Sequence, residues 1–187
     1  MMSRNNPILY IVIPCYNEEQ VLPHTNPMFV EKIEQLVKKE EIHPHSKIMY
    51  VNDGSKDRTW ELIESYAKSI SSVVGVSQSR NRGHQSSVLA GMYEAIQFAD
   101  IVITIDVDGQ DDINCMDKMI EEYKSGSEIV YGVRDNRDTD SAFKRITAEG
   151  FYKVLNLFGA EVVFNHADYR LVSKRFLKEL EKFTEVN

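Results

Sequence analysis

Cysteine is scarce in this chain of 187 residues, which holds only Cys15 and Cys115. Two thiols beside apolar strand or helix patterns cannot build a disulfide framework, and they read as packing residues in a reducing compartment. No apolar run approaches the roughly 20 residues that cross a bilayer, so no transmembrane helix is expected. The amino-terminal stretch Met-Met-Ser-Arg-Asn-Asn-Pro lacks the apolar segment of a secretory signal, and the expected location is cytoplasmic. An excess of basic charge is missing too. A formal net charge of −7 argues against a nucleic-acid partner, which would call for a basic stripe. Internal repeats and low-complexity linkers are absent, which excludes solenoid and multi-domain arrangements and leaves one domain over residues 1–187.

What the chain does contain is an apolar fraction of 42% and a charged fraction of 27%, the composition of a soluble globular domain. The charge is unevenly spread: residues 1–133 carry 12 basic and 20 acidic side chains, and residues 134–187 carry 10 and 9. An acidic front half that binds an anion needs a cation there, and the later Arg and Lys residues can neutralise the rest.

Strand and helix patterns alternate throughout. Strands are expected at Leu9–Pro14, Lys47–Val51, Val73–Val76, from Ile101, at Ile129–Val133 and near Glu161–Phe164. Helices are expected within Phe29–Lys39, after a loop at Pro23–Pro27, and along Trp60, Ile63, Tyr66 and Ile70 with Ser55 or Asp57 as cap. Further helices are expected over Gln85–Phe98, from Ile113 to Tyr123 with Asp112 as cap and Gly126 as stop, around Phe151–Phe158, and from about Ser173. The helix at 149–158 is apolar on more than one face and suits either burial or a membrane or partner surface. Asp135–Asp140 reads as a mobile polar connector. The fold class is α/β, a single domain with a mostly parallel twisted sheet and helices on both faces.

The organising stretch is Ile101–Asp112, where β-branched residues end in four aspartates within seven positions. Asp106 and Asp108, two apart in extended chain, point the same way and can hold one hard cation against an anionic ligand. An acidic turn closing a strand is the plainer reading of the same residues. Two more polar loops, Pro14–Glu19 and Asn52–Asp57, open on the same edge of a parallel sheet, where ligands bind. A nucleotide needs an aromatic wall, acceptors for its base and ribose, and positive charge for its phosphates. Tyr16 can supply the wall, Asp53 and Glu18 the acceptors, and a metal on Asp108 the charge.

The segments Ile11–Glu19, Val51–Thr59, Ser79–Gln85 with Gly91, and Asp106–Asp111 resemble the successive motifs of family 2 glycosyltransferases. Tyr131–Arg137, Phe143–Arg145 and Asp168–Leu171 are similar to later motifs of the polyprenyl-phosphate sugar transferase subgroup. The resemblance runs from about residue 8 to residue 175, and the ordered set carries it rather than any one piece. It implies a GT-A-like fold and a UDP- or GDP-linked sugar bound by Pro14, Tyr16, Asn17, Glu18, Asp53, Asp106 and Arg145. It implies Mg²⁺ or Mn²⁺ on Asp106, Asp108 and Gln110, with Asp108, Asp111 and Arg134 at the chemistry. Arg134 and Arg145 then contact phosphates, a task suited to the guanidinium fork.

The implied reaction is inverting transfer of a hexose to an acceptor, with a polyprenyl phosphate at the cytoplasmic face of a membrane as the main expectation. Transfer to a saccharide hydroxyl, or a sugar-nucleotide-binding module without activity, stay open. A hydroxyl acceptor needs a base, for which Asp111 stands first and Asp168 second; His84 and His166 are assigned no role. A nucleotidyltransferase would want a Gly-rich basic first loop, which Pro14–Glu19 is not. Two positions depart from the family pattern: Asn52 replaces a common acidic residue, and Asp112-Ile113 replaces a frequent Asp-Pro step. Members of the subgroup continue into further catalytic elements and membrane helices, so the expectation is a catalytic domain without that carboxyl-terminal part.

Overall fold

The computed structural model describes residues 6–132, 144–146 and 169–181. Five helices and a seven-stranded sheet are built from them, in the order β1 (Leu9–Cys15), α1 (Leu22–Lys38), β2 (Lys47–Asn52), α2 (Thr59–Ser69), β3 (Val73–Ser77), α3 (His84–Ala95), β4 (Ile101–Thr104), α4 (Cys115–Lys124), β5 (Ile129–Tyr131), β6 (Lys144–Ile146), β7 (Arg170–Ser173) and α5 (Lys174–Leu180). The strands lie side by side as β3-β2-β1-β4-β7-β5-β6. Strands β1 to β4 are mutually parallel, β7 runs against both β4 and β5, and β6 runs against β5.

Strand β1 is buried at every position because its two faces meet different helices. Leu9, Ile11 and Ile13 pack with Phe29, Ile33 and Leu36 of α1, Ile63 of α2, and Met116 and Met119 of α4. Tyr10 and Val12 pack with Val88, Met92 and Ala95 of α3 and with Phe176 and Leu177 of α5. Helices therefore cover both faces, and strands enclosed on both sides read as continuous apolar runs rather than alternating ones.

Helix α1 begins at Leu22, seven residues before the expected start, and the stretch Pro23–Pro27 is helical rather than a loop. Pro23 falls in the first turn, where its missing N–H would be unsatisfied in any case. Pro27 removes one intrahelical bond, but Leu22, Thr25, Asn26 and Phe29 fall on one buried face, and Asn26 Oδ1 accepts the buried Tyr50 hydroxyl at 3.0 Å. Packing outweighs the local penalty. Asp112 lies two residues before the N-cap of α4, which is Asn114. Its carboxylate instead accepts the Asn114 N–H at 2.9 Å, closing the turn that leads into the helix.

Strands β6 and β7 were not expected, and β7 inserts between β4 and β5. The expected connector at Asp135–Asp140, the helix around Phe151–Phe158 and the strand near Glu161–Phe164 lie outside the described residues. The last helix starts next to Ser173 as expected, and Ser173 caps it, with Oγ accepting the Phe176 N–H at 3.1 Å. Among the described residues no helix is long and apolar enough to cross a membrane.

Candidate functional site

Parallel strands in register bring their following loops to one edge. Cys15 pairs with Asn52, and Val12 pairs with Thr104. The ladder continues past β4, since Ile105 donates its N–H to the Val12 carbonyl at 3.2 Å. Asp106 thereby arrives beside the end of β1. The result is a cleft of about 300 Å³ lined by Pro14, Tyr16, Glu18, Asp53, Asp106 and Asp108, together with Asn81, Gly83, His84 and Ser87. Six of the expected site residues thus meet in one place. Tyr16, 41% exposed, stands at the mouth as a ring wall.

The first two loops are sewn together by backbone bonds. Glu18 N–H donates to Thr59 Oγ1 at 2.7 Å and Glu19 N–H to Asp57 Oδ2 at 3.1 Å. Asp57 Oδ1 in turn accepts both the N–H and the hydroxyl of Thr59, at 3.0 and 2.6 Å. Burial works against the Asp57 carboxylate, but these hydrogen bonds from Thr59 and Glu19 hold its pKa below the usual value. Asn17 adopts φ +57°, donates its N–H to Ser55 Oγ at 3.0 Å and accepts the Lys56 N–H at 2.9 Å. Its amide thereby latches one loop to the other, and it is not among the residues lining the cleft.

Asp53 is 3% exposed, and its oxygens accept the N–H groups of Arg82 and Gly83 at 2.7 and 2.9 Å. This ties the loop after β3 to the end of β2. Gly54 allows the close approach: it has φ +64°, and a Cβ there would lie 2.5 Å from the Arg80 carbonyl carbon. Helix α3 follows with His84, whose Nε2 is 3.7 Å from Asp106 Oδ1. Sequence reasoning gave His84 no role and overlooked Asn81, Gly83 and Ser87 as cleft residues. The usable signal was their position in the turn after a third parallel strand and in the first turn of the helix that follows, which open on the same edge.

Electrostatically the cleft is acidic. Burial raises the Glu18 pKa, and the charges of Asp108, Asp57 and Asp106 raise it further. Burial, then Glu18, pushes the Cys15 thiol well up, which fits a packing residue. Crowded oxygen donors of this kind fit a hard divalent cation. Among the described residues no group of three or more His, Cys, Asp or Glu is arranged to hold a metal by itself. Asp106 and Asp108 would leave the remaining positions to ligand oxygens and water, as Mg²⁺ commonly requires. Gln110 is exposed and outside the cleft lining, its N–H bonded to Asp108 Oδ1 at 3.0 Å. Asp111 is 9% exposed and also apart from the lining. Arg134 and Asp168 lie outside the described residues, and Arg145 is placed by its backbone opposite Val130.

A family model for glycosyl transferase family 2 matches residues 10–181. The chain is 46% identical over its whole length to an uncharacterized glycosyltransferase, YkoT of Bacillus subtilis, of which it covers 55%. It is 35% identical over 95% of its length to the bactoprenol glucosyl transferase of Shigella phage SfX, of which it covers 56%. The chain thus spans about half the length of these relatives, and the likeness to the second is consistent with the polyprenyl-phosphate subgroup. Among solved structures, a mannosyltransferase from Pyrobaculum calidifontis in complex with GDP-Man and Mn²⁺ superposes with a TM-score of 0.56 at 17% identity, over 94% of this chain and 47% of that one. At that identity the likeness carries the fold, which is GT-A-like as expected. With the motifs on consecutive strand ends of one sheet and the family model spanning nearly all of it, the chain belongs to glycosyl transferase family 2.

Proposed function

We propose that this chain binds a nucleotide-diphosphate sugar in the cleft and forms the donor half of a metal-dependent, inverting hexosyltransferase whose acceptor is a polyprenyl phosphate. The observation that carries the reading is the convergence of Tyr16, Asp53, Asp106 and Asp108 on one cleft at the carboxyl edge of the parallel strands. Tyr16 stacks against the base and Asp53 accepts from a base N–H. Asp106 and Asp108, with Gln110 nearby in sequence, face the diphosphate. A divalent cation held there, Mg²⁺ or Mn²⁺, supplies positive charge against the leaving nucleoside diphosphate.

An acceptor oxygen attacks the anomeric carbon from the face opposite the diphosphate. The bond from that carbon to the diphosphate oxygen breaks, its electron pair leaves with the nucleotide, and the anomeric configuration inverts. Arg134 and Arg145 complete the neutralisation of phosphate charge. A lipid phosphate is already ionised near neutral pH and needs no base. The burial of Asp111 away from the cleft lining supports that acceptor over a sugar hydroxyl. The bactoprenol transferase relatives favour it as well, and in the whole protein it sets the reaction at the cytoplasmic face of a membrane.

Calorimetric titration of UDP-glucose, GDP-mannose and UDP-GlcNAc into the chain, with and without Mn²⁺, tests this. Metal-dependent binding of at least one is expected, with loss of that binding in Asp108→Ala and an unchanged circular dichroism spectrum. No binding of any sugar nucleotide in the presence of metal overturns the proposal, and unchanged affinity in Asp108→Ala overturns the metal assignment.

A further inference from the structure

Ser87 is fully buried, lines the cleft, and its Oγ has no hydrogen-bond partner among the described residues. A helical serine commonly returns its hydroxyl to the carbonyl four residues back; here only the backbone N–H reaches Gly83 O, at 3.1 Å. A buried hydroxyl without a partner costs free energy that a ligand acceptor would recover.

The position of that hydroxyl follows from the packing of α3. One turn later on the same helix face, Gly91 rests directly on β1 and β2: a Cβ there would lie 2.5 Å from Val12 Cγ1 and 2.7 Å from Val51 Cγ2. Four residues back along a helix is about 6 Å, roughly two residues of strand. Two residues past Val12 and Val51 are Pro14 and Asp53, both cleft residues. The tie is also direct in bonds, since the Gly83 N–H that begins this turn donates to Asp53 Oδ2 at 2.9 Å. By this count the Ser87 hydroxyl and the Asp53 carboxylate lie at the same level along the strands, and both line the cleft.

We infer that Ser87 is a specificity residue for the nucleobase, donating to a ring carbonyl whose neighbouring ring N–H is taken by Asp53. This rests on the nucleotide-sugar reading above and narrows it. Uracil and guanine present N–H next to C=O; adenine offers a bare ring nitrogen in place of that N–H, which sets lone pair against lone pair at the Asp53 carboxylate.

The test measures dissociation constants of UDP, GDP and ADP with Mn²⁺ for the wild type and for Ser87→Ala, a substitution that removes the hydroxyl and suits a helix. UDP or GDP is expected to bind at least about tenfold more tightly than ADP. Ser87→Ala is expected to weaken the preferred nucleotide about three- to tenfold, to leave ADP binding unchanged and not to lower the melting temperature. Equal affinities of the wild type for ADP and for the better of UDP and GDP overturn the inference, as does wild-type affinity for that nucleotide in Ser87→Ala. In either case metal-dependent nucleotide binding stands. Absence of all nucleotide binding by the wild type removes the functional reading itself, and this inference with it.

Discussion

Replacing Asp53 by asparagine keeps the side-chain shape and halves its accepting capacity. In the native structure each carboxylate oxygen takes one backbone N–H, from Arg82 at 2.7 Å and from Gly83 at 2.9 Å, and the residue is 3% exposed. Asparagine has one carbonyl oxygen, so one of these N–H groups must face an amide NH₂ in place of an acceptor. A hydrogen bond to a charged acceptor contributes about 1.5–3 kcal/mol, and a buried donor left unmade costs a similar amount. Since those two figures describe one loss, Asp53→Asn should destabilise by about 2–3 kcal/mol, and Asp53→Ala, which removes both acceptors, by more. For a chain of this size the asparagine variant should melt about 4–12 °C lower. Thermal unfolding by circular dichroism reads the shift, and urea unfolding gives the free energy independently. A midpoint for Asp53→Asn within about 1 °C of the wild type would show that the carboxylate does not anchor the loop after β3. The account of how this loop reaches the cleft would then be wrong.

Two further outcomes follow from the same geometry. Gly91→Ala inserts a methyl group where Val12 and Val51 already lie at 2.5 and 2.7 Å, so urea denaturation should show a loss of about 1–3 kcal/mol; unchanged stability would mean that α3 is not seated directly on β1 and β2. In Glu18→Gln the acid with a raised folded-state pKa is removed. A folded carboxyl that holds its proton more tightly than the unfolded one contributes stability that is full below the ordinary glutamate range and is lost as pH rises through the raised value. Without added metal the glutamine variant should therefore melt above the wild type near pH 7, with the advantage vanishing near pH 4, and a pH series of melting temperatures checks the sign.

The alternation of strand and helix was legible because continuous β-branched runs such as Leu9–Cys15 and Ile101–Thr104 differ in period from Phe29, Ile33 and Leu36. The start of α1 was not legible. Two prolines locally favour a loop, and only the buried face of Leu22, Asn26 and Phe29 against the sheet overrides them. Strands β6 and β7 escaped notice because three or four residues carry too little periodicity, and the partners of β7, strands β4 and β5, are far away in the chain.

The candidate site divides along the same line. Residue types and loop order by themselves determined that Tyr16, Asp53, Asp106 and Asp108 belong to one edge of the sheet, because successive parallel strands must open on the same side. Tertiary structure alone decided which neighbours face the cleft. It turned Asn17 into a latch between loops and set Asp111 apart from the lining. It also brought His84 to Asp106 and Ser87 into the cleft lining, through a helix that Gly91 lets lie against two strands. Motif spacing is a property of the chain, whereas the direction of a side chain depends on register and close packing, which long-range contacts settle.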